Sequence, residues 1–529
     1  MRLNAFPLLS TAAEPFRVAA CGGCGDHRYA EDVRHRRGRT AIALMVLSAF
    51  AASAAAAKLD CAGLAGQTIG GASIVATTDV AASPALVAYC KVQGLIAPKL
   101  NFELRLPVDW NRKLHYGGGG GYNGSIPPVN APALNAGYAQ VSSDSGHQGN
   151  GLDASFALND PLAAQLFGSL SVPTVMGSAL EIVKAHYGFG PRRSYFEGCS
   201  NGGREALMNV QRYPTLFDGV IARAPAYNWV GFMGQFNRTA KALTAPGGAM
   251  PPAKVATLAN AVLAACDSLD NLADGVVSNL QACHFDPQTL RCPGGLDTGD
   301  TCLSDPQLAA VASWTQPAVW AGGAYSNPGW PLTGNESDPG AWGPWVTNMP
   351  SLQFLFADTT VKNYLARDPA ANSLTYVWDS DPGALFALAA LNDATNPNLQ
   401  PFLGAGGKLI LWHGGNDSAL SNKATAAYVA QVTAAVGGAA NTEQFMRFYV
   451  APGVDHCAGG PGADQVDLLT PLDRWVTRGR APGELTAAKI DPATGATLLT
   501  RPLCIYPAYP RYKGRGDPNE ASSFTCATD

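Results

Sequence analysis

Charged side chains are scarce in this 529-residue chain: Asp, Glu, Lys and Arg make up only 14%, and the formal net charge is −4. Without a basic excess the chain lacks the electrostatic footprint of a nucleic-acid-binding protein, so we expect no nucleic-acid partner. Beyond residue 57 there is no unbroken run of about 18 apolar residues, which predicts no membrane span. Hydrophobic residues make up 47%, a share that excludes a disordered chain and predicts a compact globular protein.

The chain is too long to form one small domain, and its length predicts either a large domain with an insertion or two domains. The 58 glycines and 38 prolines predict many turns and ordered loops rather than long helices.

The first 57 residues are typical of an export signal that follows an extension. Residues 34–39 form a basic cluster, residues 41–50 an apolar run and residues 51–57 a tract of small residues. This is the order of a secretory signal peptide, here starting about 33 residues late. We predict that translation begins near Val33, that residues 1–57 are removed, and that the mature protein is secreted or periplasmic. The alternative for the apolar run is a buried core helix.

Export changes the interpretation of the twelve cysteines. Cys21 and Cys24 lie before the predicted cleavage, where their spacing is also compatible with half of a redox or metal site. The ten that remain are an even number, which in an exported chain favours disulfides over free thiols. Their connectivity cannot be deduced from the sequence alone.

Strand and helix patterns alternate over residues 58–226, and this predicts the first part of an α/β core with a mostly parallel sheet. Residues 227–401 show no such rhythm, are rich in Trp, Asn, Asp, Gly and Pro, and contain four cysteines. We interpret them as an inserted lid domain. Strand and helix patterns resume over residues 402–529, which are predicted to complete the core. The strands predicted for the two core parts are 102–107, 113–116, 138–142, 194–197, 216–221, 408–412 and 445–450, and the predicted helices are 175–188, 203–213 and 425–436.

A nucleophile-elbow sequence lies between a predicted strand and a predicted helix. It reads Gly198-Cys199-Ser200-Asn201-Gly202, which matches the Gly-x-Ser-x-Gly pattern. In this strand–turn–helix context the serine hydroxyl is exposed at the end of the sheet, so Ser200 is the predicted nucleophile. The alternative is an ordinary glycine turn with a solvent-facing serine.

His456 is the predicted general base among the eight histidines, because it follows a predicted strand and lies next to Cys457. If Cys457 is joined to Cys199, the bond would hold the two Cα atoms about 5.5–6 Å apart. The neighbouring Ser200 and His456 would then come within reach of each other, as a hydroxyl nucleophile and its base require.

Asp417 is the predicted acid, because it follows the predicted buried strand 408–412 and gives the order serine, acid, histidine expected of an α/β-hydrolase. Asp455 is the competing acid, but its adjacency to His456 directs its side chain away from the ring. His413 is predicted to hydrogen-bond locally. His147, on a polar loop, is predicted to contact substrate or water.

An oxyanion formed on a substrate carbonyl needs donors aimed at its developing charge. One predicted donor is the N–H of Asn201, and the other comes from the glycine run 117–121, whose backbone can approach a substrate closely. The competing interpretation of this run is a phosphate cradle. It lacks the lysine–serine/threonine ending and the helix context of nucleotide-binding loops, so nucleotide binding is not expected.

Together these residues resemble the tannase and feruloyl esterase family, a branch of the α/β-hydrolases that also contains an enzyme cleaving mono(hydroxyethyl) terephthalate. The resemblance extends from about Cys61 to Cys526 and rests on the elbow 198–205, on His413-Gly414 with Asp417, and on residues 452–460. It implies an α/β-hydrolase core with a large inserted lid and a secreted serine carboxylic-ester hydrolase. The implied substrates are feruloyl (hydroxycinnamoyl) or galloyl esters, either free or attached to plant polysaccharide or tannin.

The resemblance also assigns individual residues. It implies a Ser200–Asp417–His456 triad, with oxyanion donors at Gly121 and Asn201. It implies five disulfides: Cys61–Cys90, Cys199–Cys457, Cys266–Cys283, Cys292–Cys302 and Cys504–Cys526.

An acidic cluster, Asp267, Asp270 and Asp274 followed by Gly275, brings hard oxygen ligands together on one loop. It is not an EF-hand, and alone it reads as a solvated acidic turn. The resemblance instead implies a structural calcium ion bound by these three aspartates and by the carbonyls of Leu272 and Val276. No organic cofactor is expected.

Other functions stay open at this point. One alternative is a hydrolase of mono(hydroxyethyl) terephthalate or other small aryl esters. In the family the terephthalate-ester specificity involves a lid arginine, and here residues 351–354 read Ser-Leu-Gln-Phe, with no arginine. A non-catalytic carbohydrate- or aromatic-binding protein on the same fold would not need all three triad members. A calcium-dependent structural protein would explain the acidic loop but not the elbow.

Overall fold

The computed structural model describes residues 58–528. The predicted signal peptide, Val33, Cys21 and Cys24 lie outside these residues. The strands, in chain order, are β1 (Thr68–Ile69), β2 (Ala72–Val80), β3 (Tyr89–Ile96), β4 (Leu100–Pro107), β5 (Lys113–Gly117), β6 (Ala139–Ser143), β7 (Arg193–Cys199), β8 (Gly219–Arg223), β9 (Ala318–Trp320), β10 (Tyr325–Asn327), β11 (Lys408–Gly414), β12 (Met446–Ala451), β13 (Leu485–Ile490), β14 (Thr497–Leu503), β15 (Tyr509–Tyr512) and β16 (Phe524–Ala527).

The α-helices vary from one turn to about five turns. In chain order they are α1 (Cys61–Leu64), α2 (Ala131–Asn135), α3 (Phe156–Asn159), α4 (Pro161–Gln165), α5 (Ser171–Tyr187), α6 (Asn201–Arg212), α7 (Trp229–Thr244), α8 (Pro252–Cys266), α9 (Asp305–Thr315), α10 (Leu352–Thr360), α11 (Pro382–Asn392), α12 (Gln400–Gly404), α13 (Asn422–Ala435), α14 (Ala439–Thr442) and α15 (Leu469–Arg478).

One ten-stranded mixed sheet organises residues 58–528, with the strand order β1-β2-β3-β4-β6-β5-β7-β8-β11-β12. Along this order, the pairings from β6 through β5, β7, β8 and β11 to β12 are parallel. The pairings from β1 through β2, β3 and β4 to β6 are antiparallel. The predicted α/β-hydrolase fold class is confirmed, but only five of the nine strand pairings are parallel. Short connections join β1 to β4 in succession, and antiparallel strands joined this way need no intervening helix.

The predicted core strands fall where the structure has β4, β5, β6, β7, β8, β11 and β12, with shifts of one to three residues at their ends. The predicted helix 175–188 is α5, which ends at Gly188. This glycine has a φ of 85° and adopts the left-handed conformation that commonly ends a helix. The predicted helices 203–213 and 425–436 correspond to α6 and α13.

Residues 224–407, here called the insertion, connect β8 to its sheet neighbour β11. They contain helices α7–α12 and the small β9–β10 hairpin. A hydrophobic cluster formed mostly by the insertion buries the indoles of Trp314, Trp330, Trp342 and Trp378, and Tyr122 and Phe167 of the core also belong to it. Most tryptophans of the insertion therefore lie in this shared cluster. The division into a lid at 227–401 between two core segments stays a prediction.

A second cluster lies between the sheet and helices α5, α6 and α13, and a third lies on the opposite face against α15. Within the described chain, one helical stretch, Pro161–Tyr187, has the length and apolar composition of a membrane span, but 61% of its apolar window is buried inside the protein. Its burial is that of a core helix.

Five disulfides join the ten cysteines of residues 58–528 in the pairs that the resemblance implied. Four of them close loops within their own region, with sequence separations of 10 to 29 residues. The fifth, Cys199–Cys457, spans 258 residues and connects the two halves of the core.

Candidate active site

Ser200 occupies the sharp turn between β7 and α6, with φ 62° and ψ −121°. A non-glycine residue at positive φ is strained and persists only when its surroundings hold it. The N–H of Ser200 donates to the carbonyl of Arg223 at 3.1 Å, and its own carbonyl accepts from Ala226 at 3.0 Å. Backbone hydrogen bonds to the last residue of β8 and to the loop just after it therefore hold the elbow in place.

The glycines of the elbow let α6 begin directly against the sheet. A Cβ on Gly198 would lie 2.5 Å from the carbonyl carbon of Gly202, and one on Gly203 would lie 2.4 Å from the carbonyl oxygen of Arg223. No side chain fits at either position without moving backbone. This steric requirement distinguishes the sequence from an ordinary glycine turn.

The carboxylate of Asp417 is buried and accepts four hydrogen bonds. Its Oδ1 accepts from the backbone N–H groups of Ala419 and Leu420, each at 2.8 Å. Its Oδ2 lies 2.9 Å from Nδ1 of His456 and 3.1 Å from Nε2 of His413. Burial alone would raise the pKa of Asp417, but the attraction of His456 and hydrogen bonds from both rings hold it well below its usual value. Asp417 is therefore ionised.

An ionised carboxylate accepts hydrogen bonds only, so Nδ1 of His456 carries the ring proton and donates a hydrogen bond to Asp417. The neutral ring then leaves Nε2 free as a proton acceptor, which is the tautomer that a general base needs. The indole of Trp345, from the insertion, packs edge-on against the His456 ring at 5.0 Å.

His413 is a contributor to the site that the sequence reasoning missed. It is buried, and its Nδ1 pairs with the hydroxyl of Thr425 at 2.9 Å, while its Nε2 also lies 3.0 Å from the carbonyl of Leu420. It bonds locally, as expected, but it also contacts Asp417. His413 directly follows the predicted strand 408–412 and lies four residues before Asp417. This short spacing was the feature of the sequence that could have indicated the contact.

Asp455, the competing acid, makes different contacts. Its Oδ1 accepts from Nδ2 of Asn416 at 2.5 Å. Burial, followed by a hydrogen bond and charge repulsion from Asp338 of the insertion, raises the pKa of Asp455 to about 8. The structure therefore pairs His456 with Asp417, and Asp455 lies in a separate polar cluster.

The Cys199–Cys457 disulfide joins the residue before Ser200 to the residue after His456, with its Cα atoms 6.0 Å apart. Cys199 is the last residue of β7, and Cys457 lies in the loop after β12. β8 and β11 separate these two strands in the sheet. The bond therefore anchors the loop that carries His456 to the elbow.

Gly121 and Asn201 border the same cavity as Ser200. Gly121 has a φ of 54°, and a Cβ there would lie 2.3 Å from the carbonyl oxygen of Gly151. Among the residues that the structure describes, neither the N–H of Gly121 nor that of Asn201 donates to another protein group. Two free backbone donors beside a serine hydroxyl are the components of an oxyanion hole.

The cavity at Ser200 is narrow and mainly aromatic. Helix α7 supplies Trp229, Phe232 and Phe236, and the opposite wall is formed by Trp345 and Phe356. In the described part of the chain, no Asp, Glu, Lys or Arg side chain lines it. His147 lies outside this lining: it stacks on Phe156 with ring centroids 3.6 Å apart, and burial lowers its pKa to about 4.

The predicted calcium loop brings its aspartates close together, but their contacts differ. Oδ1 of Asp267 and Oδ2 of Asp270 are buried without a hydrogen-bond partner, and burial raises the pKa of Asp270 to about 6. Two such oxygens fit a hard cation such as Ca²⁺. Oδ2 of Asp274, by contrast, pairs with Arg501 at 2.7 Å. No group of three or more metal-binding side chains is present within residues 58–528, so the calcium ion stays a prediction.

With the elbow, the His456–Asp417 pair and the fold established, comparison with known proteins becomes informative. A sequence model of the family described as tannase and feruloyl esterase matches residues 84–527. The chain belongs to the tannase and feruloyl esterase family. The resemblance seen in the sequence is confirmed over most of the chain, and the protein is a carboxylic ester hydrolase.

Named relatives agree with this assignment. The mono(2-hydroxyethyl) terephthalate hydrolase of Piscinibacter sakaiensis is 34% identical to this esterase, over 84% of this chain and 86% of that protein. A probable feruloyl esterase of Arthroderma benhamiae is 30% identical, over 80% of this chain and 82% of that protein. The crystal structure of an esterase from Aspergillus oryzae covers 88% of this chain and 99% of its own at a TM-score of 0.81 and 23% identity, which supports the fold.

Proposed function

We propose that this esterase is exported and hydrolyses esters of aromatic acids, with hydroxycinnamoyl esters such as feruloyl esters preferred, through an acyl-enzyme on Ser200. The observation that carries the proposal is the His456–Asp417 pair, anchored by a disulfide to the strained elbow of Ser200. Nucleophile, base and orienting acid are the parts that acyl transfer to a serine needs.

In the first half-reaction, the hydroxyl oxygen of Ser200 attacks the ester carbonyl while Nε2 of His456 takes its proton. Asp417 stabilises the imidazolium that forms, and the N–H groups of Gly121 and Asn201 stabilise the oxyanion. The tetrahedral intermediate collapses as His456 returns the proton to the departing alkoxide, which leaves as the alcohol. The aromatic acyl group remains esterified to Ser200.

In the second half-reaction, His456 takes a proton from water and the hydroxide attacks the acyl carbonyl. Collapse returns the proton to the oxygen of Ser200 and releases the aromatic acid. None of these steps requires an organic cofactor.

The aromatic, uncharged lining supports one class of acyl group above the others. A ferulate ring packs against indole and phenyl faces and brings few polar groups with it. A galloyl ring brings three hydroxyls that need partners, and burying an unpaired polar group costs free energy. Galloyl esters are therefore the second choice.

Terephthalate monoesters carry a free carboxylate, which costs still more to bury without a cation. Residues 351–354, the lid segment considered for this specificity, contain no arginine. Gln353 in this segment donates through its Nε2 to the carbonyl of Ser418 at 2.8 Å. We therefore expect mono(hydroxyethyl) terephthalate to be a poor substrate, although a named relative cleaves it.

The acidic loop is proposed to hold a structural calcium ion. Asp267 and Asp270, with the carbonyls of Leu272 and Val276, would bind it, and Asp274 would join them on leaving Arg501. The ion would neutralise the crowded carboxylates and stabilise the loop. All chemical steps would remain with the triad.

The five disulfides support export to an oxidising compartment, either the periplasm or the medium. Plant polysaccharide or tannin would then be an accessible source of the esters.

Labelling with a fluorophosphonate tests the proposal, with Ser200→Ala as the control. We expect one label on wild type, at Ser200, and none on the variant. Hydrolysis rates should fall in the order methyl ferulate, methyl gallate, mono(hydroxyethyl) terephthalate. A protein that neither accepts the label nor hydrolyses any of the three esters would be a binding protein on the same fold.

A further inference from the structure

The motif after the nucleophile ends in a carboxylate for which the proposed mechanism has no use. Glu205 lies on α6 one turn beyond Ser200, and it is 5% exposed. Within the described residues Glu205 belongs to no ion pair. Burial raises its pKa, and the positive charge of nearby Arg204 acts against that rise. A buried carboxylate is expensive unless hydrogen bonds stabilise it. The hydrogen-bond partners of Glu205 therefore indicate its structural role.

Those partners come from both halves of the proposed oxyanion hole. The N–H of Gly119 donates to Oε2 of Glu205 at 2.9 Å. The amide nitrogens of Asn123 and Asn201 lie 3.4 and 3.3 Å from its Oε1. Gly119 and Asn123 flank the donor Gly121 on its loop, and Asn201 is itself the second donor residue.

Two further bonds fix the same residues to each other. The side chain of Asn201 donates to Oδ1 of Asn123 at 2.9 Å. The N–H of Asn123 donates to the carbonyl of Gly120 at 2.8 Å, which closes the turn around Gly121. The loop packs closely against α6, because a Cβ on Gly118 would lie 3.0 Å from Oε2 of Glu205 and 2.9 Å from the Cα of Gly202.

We propose that Glu205 is a positioning residue for the oxyanion hole. Its two oxygens hold the glycine loop and the start of α6 at one separation, so that the N–H groups of Gly121 and Asn201 converge on the same oxyanion. Glu205 itself does not touch the substrate. The inference rests on the proposed function, since it assigns a role within that acyl-transfer site.

Preorganised donors stabilise the transition state more than the bound substrate. Loss of the hydrogen bonds to Glu205 should therefore lower kcat and leave KM nearly unchanged. Glu205→Gln keeps the size of the side chain but replaces one acceptor oxygen with an NH₂ group. In either orientation that group faces a donor, either the N–H of Gly119 or the amides of Asn123 and Asn201. At least one of the three bonds is lost.

The experiment compares Glu205→Gln with wild type and with a matched control, Glu103→Gln. Glu103 lies on β4, where it pairs with Arg105 away from the catalytic loops. For Glu205→Gln we expect kcat on methyl ferulate to fall about 10- to 100-fold, with KM changing by less than about threefold. The inhibition constant of an aryl boronic acid, which mimics the tetrahedral oxyanion, should rise by the same factor as kcat falls, while the affinity for ferulate is unchanged.

Asn123→Ser provides a second test if Glu205→Gln does not fold, because it removes the amide that links Asn201 to Glu205. A smaller fall in kcat with the same pattern in inhibitor affinity is expected. The inference is overturned if kcat stays within about twofold of wild type, or if ferulate affinity falls together with boronate affinity. If wild type itself is neither labelled nor active, the proposed function fails rather than the role of Glu205.

Discussion

At the scale of single residues, the structure separates the predicted acid Asp417 from its competitor Asp455 by their contacts. Asp417 accepts from His456 and from two backbone N–H groups. Asp455, although it precedes His456 directly, contacts Asn416 and the neighbourhood of Asp338. Adjacent residues on an extended loop direct their side chains apart, so the neighbour in sequence is the wrong partner for the ring.

Exchanging each acid for its amide tests this distinction. Asp417→Asn should lower kcat by about 10⁴-fold, because the amide no longer holds the tautomer in which Nε2 is free. Asp455→Asn should retain most of the activity, since its carboxyl does not contact the ring. Steady-state kinetics on methyl ferulate decide between them, and the reverse ranking would transfer the role of the acid to Asp455.

The raised pKa of Asp455 has a consequence for stability. In the folded protein Asp455 keeps its proton up to about pH 8, whereas in the unfolded chain it loses the proton near pH 4. Between these values the folded state binds more protons, so the contribution of this group to the free energy of unfolding falls as pH rises. Asp455→Asn should remove that fall.

Thermal unfolding of both proteins from about pH 5 to about pH 8 measures the effect. The difference in Tm between Asp455→Asn and wild type should shift in favour of the variant as pH rises. Parallel curves would show that Asp455 is already ionised at neutral pH.

At the scale of elements, the catalytic parts lie on loops that follow three parallel strands of one sheet. Ser200 follows β7, Asp417 follows β11 and His456 follows β12. Parallel strands bring their carboxyl ends to the same edge of the sheet, where α/β proteins bind ligands. The separation of β7 from β12 in the sheet explains why a covalent connection between their loops is useful.

Removing that connection should separate activity from folding. The double variant Cys199→Ala/Cys457→Ala should lose about 100-fold in kcat/KM, because a small displacement of the base is enough for such a loss. Its far-UV circular dichroism should remain that of wild type below the melting temperature. In the matched control Cys292→Ala/Cys302→Ala, which opens a short loop of the insertion, kcat/KM should change little. Equal losses in the two variants would mean that Cys199–Cys457 has only a general stabilising role.

The strands β1–β3 show where prediction from local pattern stopped. Buried and exposed positions alternate only over the first four residues of β2, where Ile74 is buried and Val75 is 67% exposed, and the later residues are mixed. These strands acquire their stability from pairing with β4 and from the Cys61–Cys90 disulfide. Pairing is a tertiary property that period-two patterns reveal only when one face is uniformly buried.

At the scale of the whole molecule, the insertion, the acidic loop and the core meet near the loop that carries His456. A Cβ on Gly453 would lie 2.9 Å from Cγ1 of Val276, so the acidic loop packs directly beneath the loop after β12. Asn335 donates to the carbonyl of Gly275 at 2.8 Å and its own carbonyl accepts from Asn416 at 3.1 Å. The proposed calcium loop therefore stabilises regions far apart in sequence.

Chelation should accordingly lower stability more than it changes the chemistry. We expect EDTA to lower the Tm of wild type by about 5 °C or more, with kcat at 25 °C little changed over short times. Asp270→Asn should unfold at the same temperature with and without the chelator, and Asp300→Asn, which changes an exposed carboxylate of the insertion, should respond as wild type does. Differential scanning calorimetry makes the comparison, and an unchanged wild-type Tm would contradict the calcium site.

The sequence by itself determined the α/β class and the residues of the elbow, because hydrophobic periodicity and the glycine pattern are local consequences of strand and helix geometry. The tannase and feruloyl esterase family followed from the resemblance of several motifs. The sequence named Ser200, Asp417 and His456 through order and neighbours. Only the tertiary structure decided that Asp417 rather than Asp455 contacts the ring, that His413 shares this carboxylate, and that Glu205 connects the glycine loop to the elbow. These contacts join residues as many as 86 positions apart, and the distance between two such side chains depends on how the whole sheet and insertion pack.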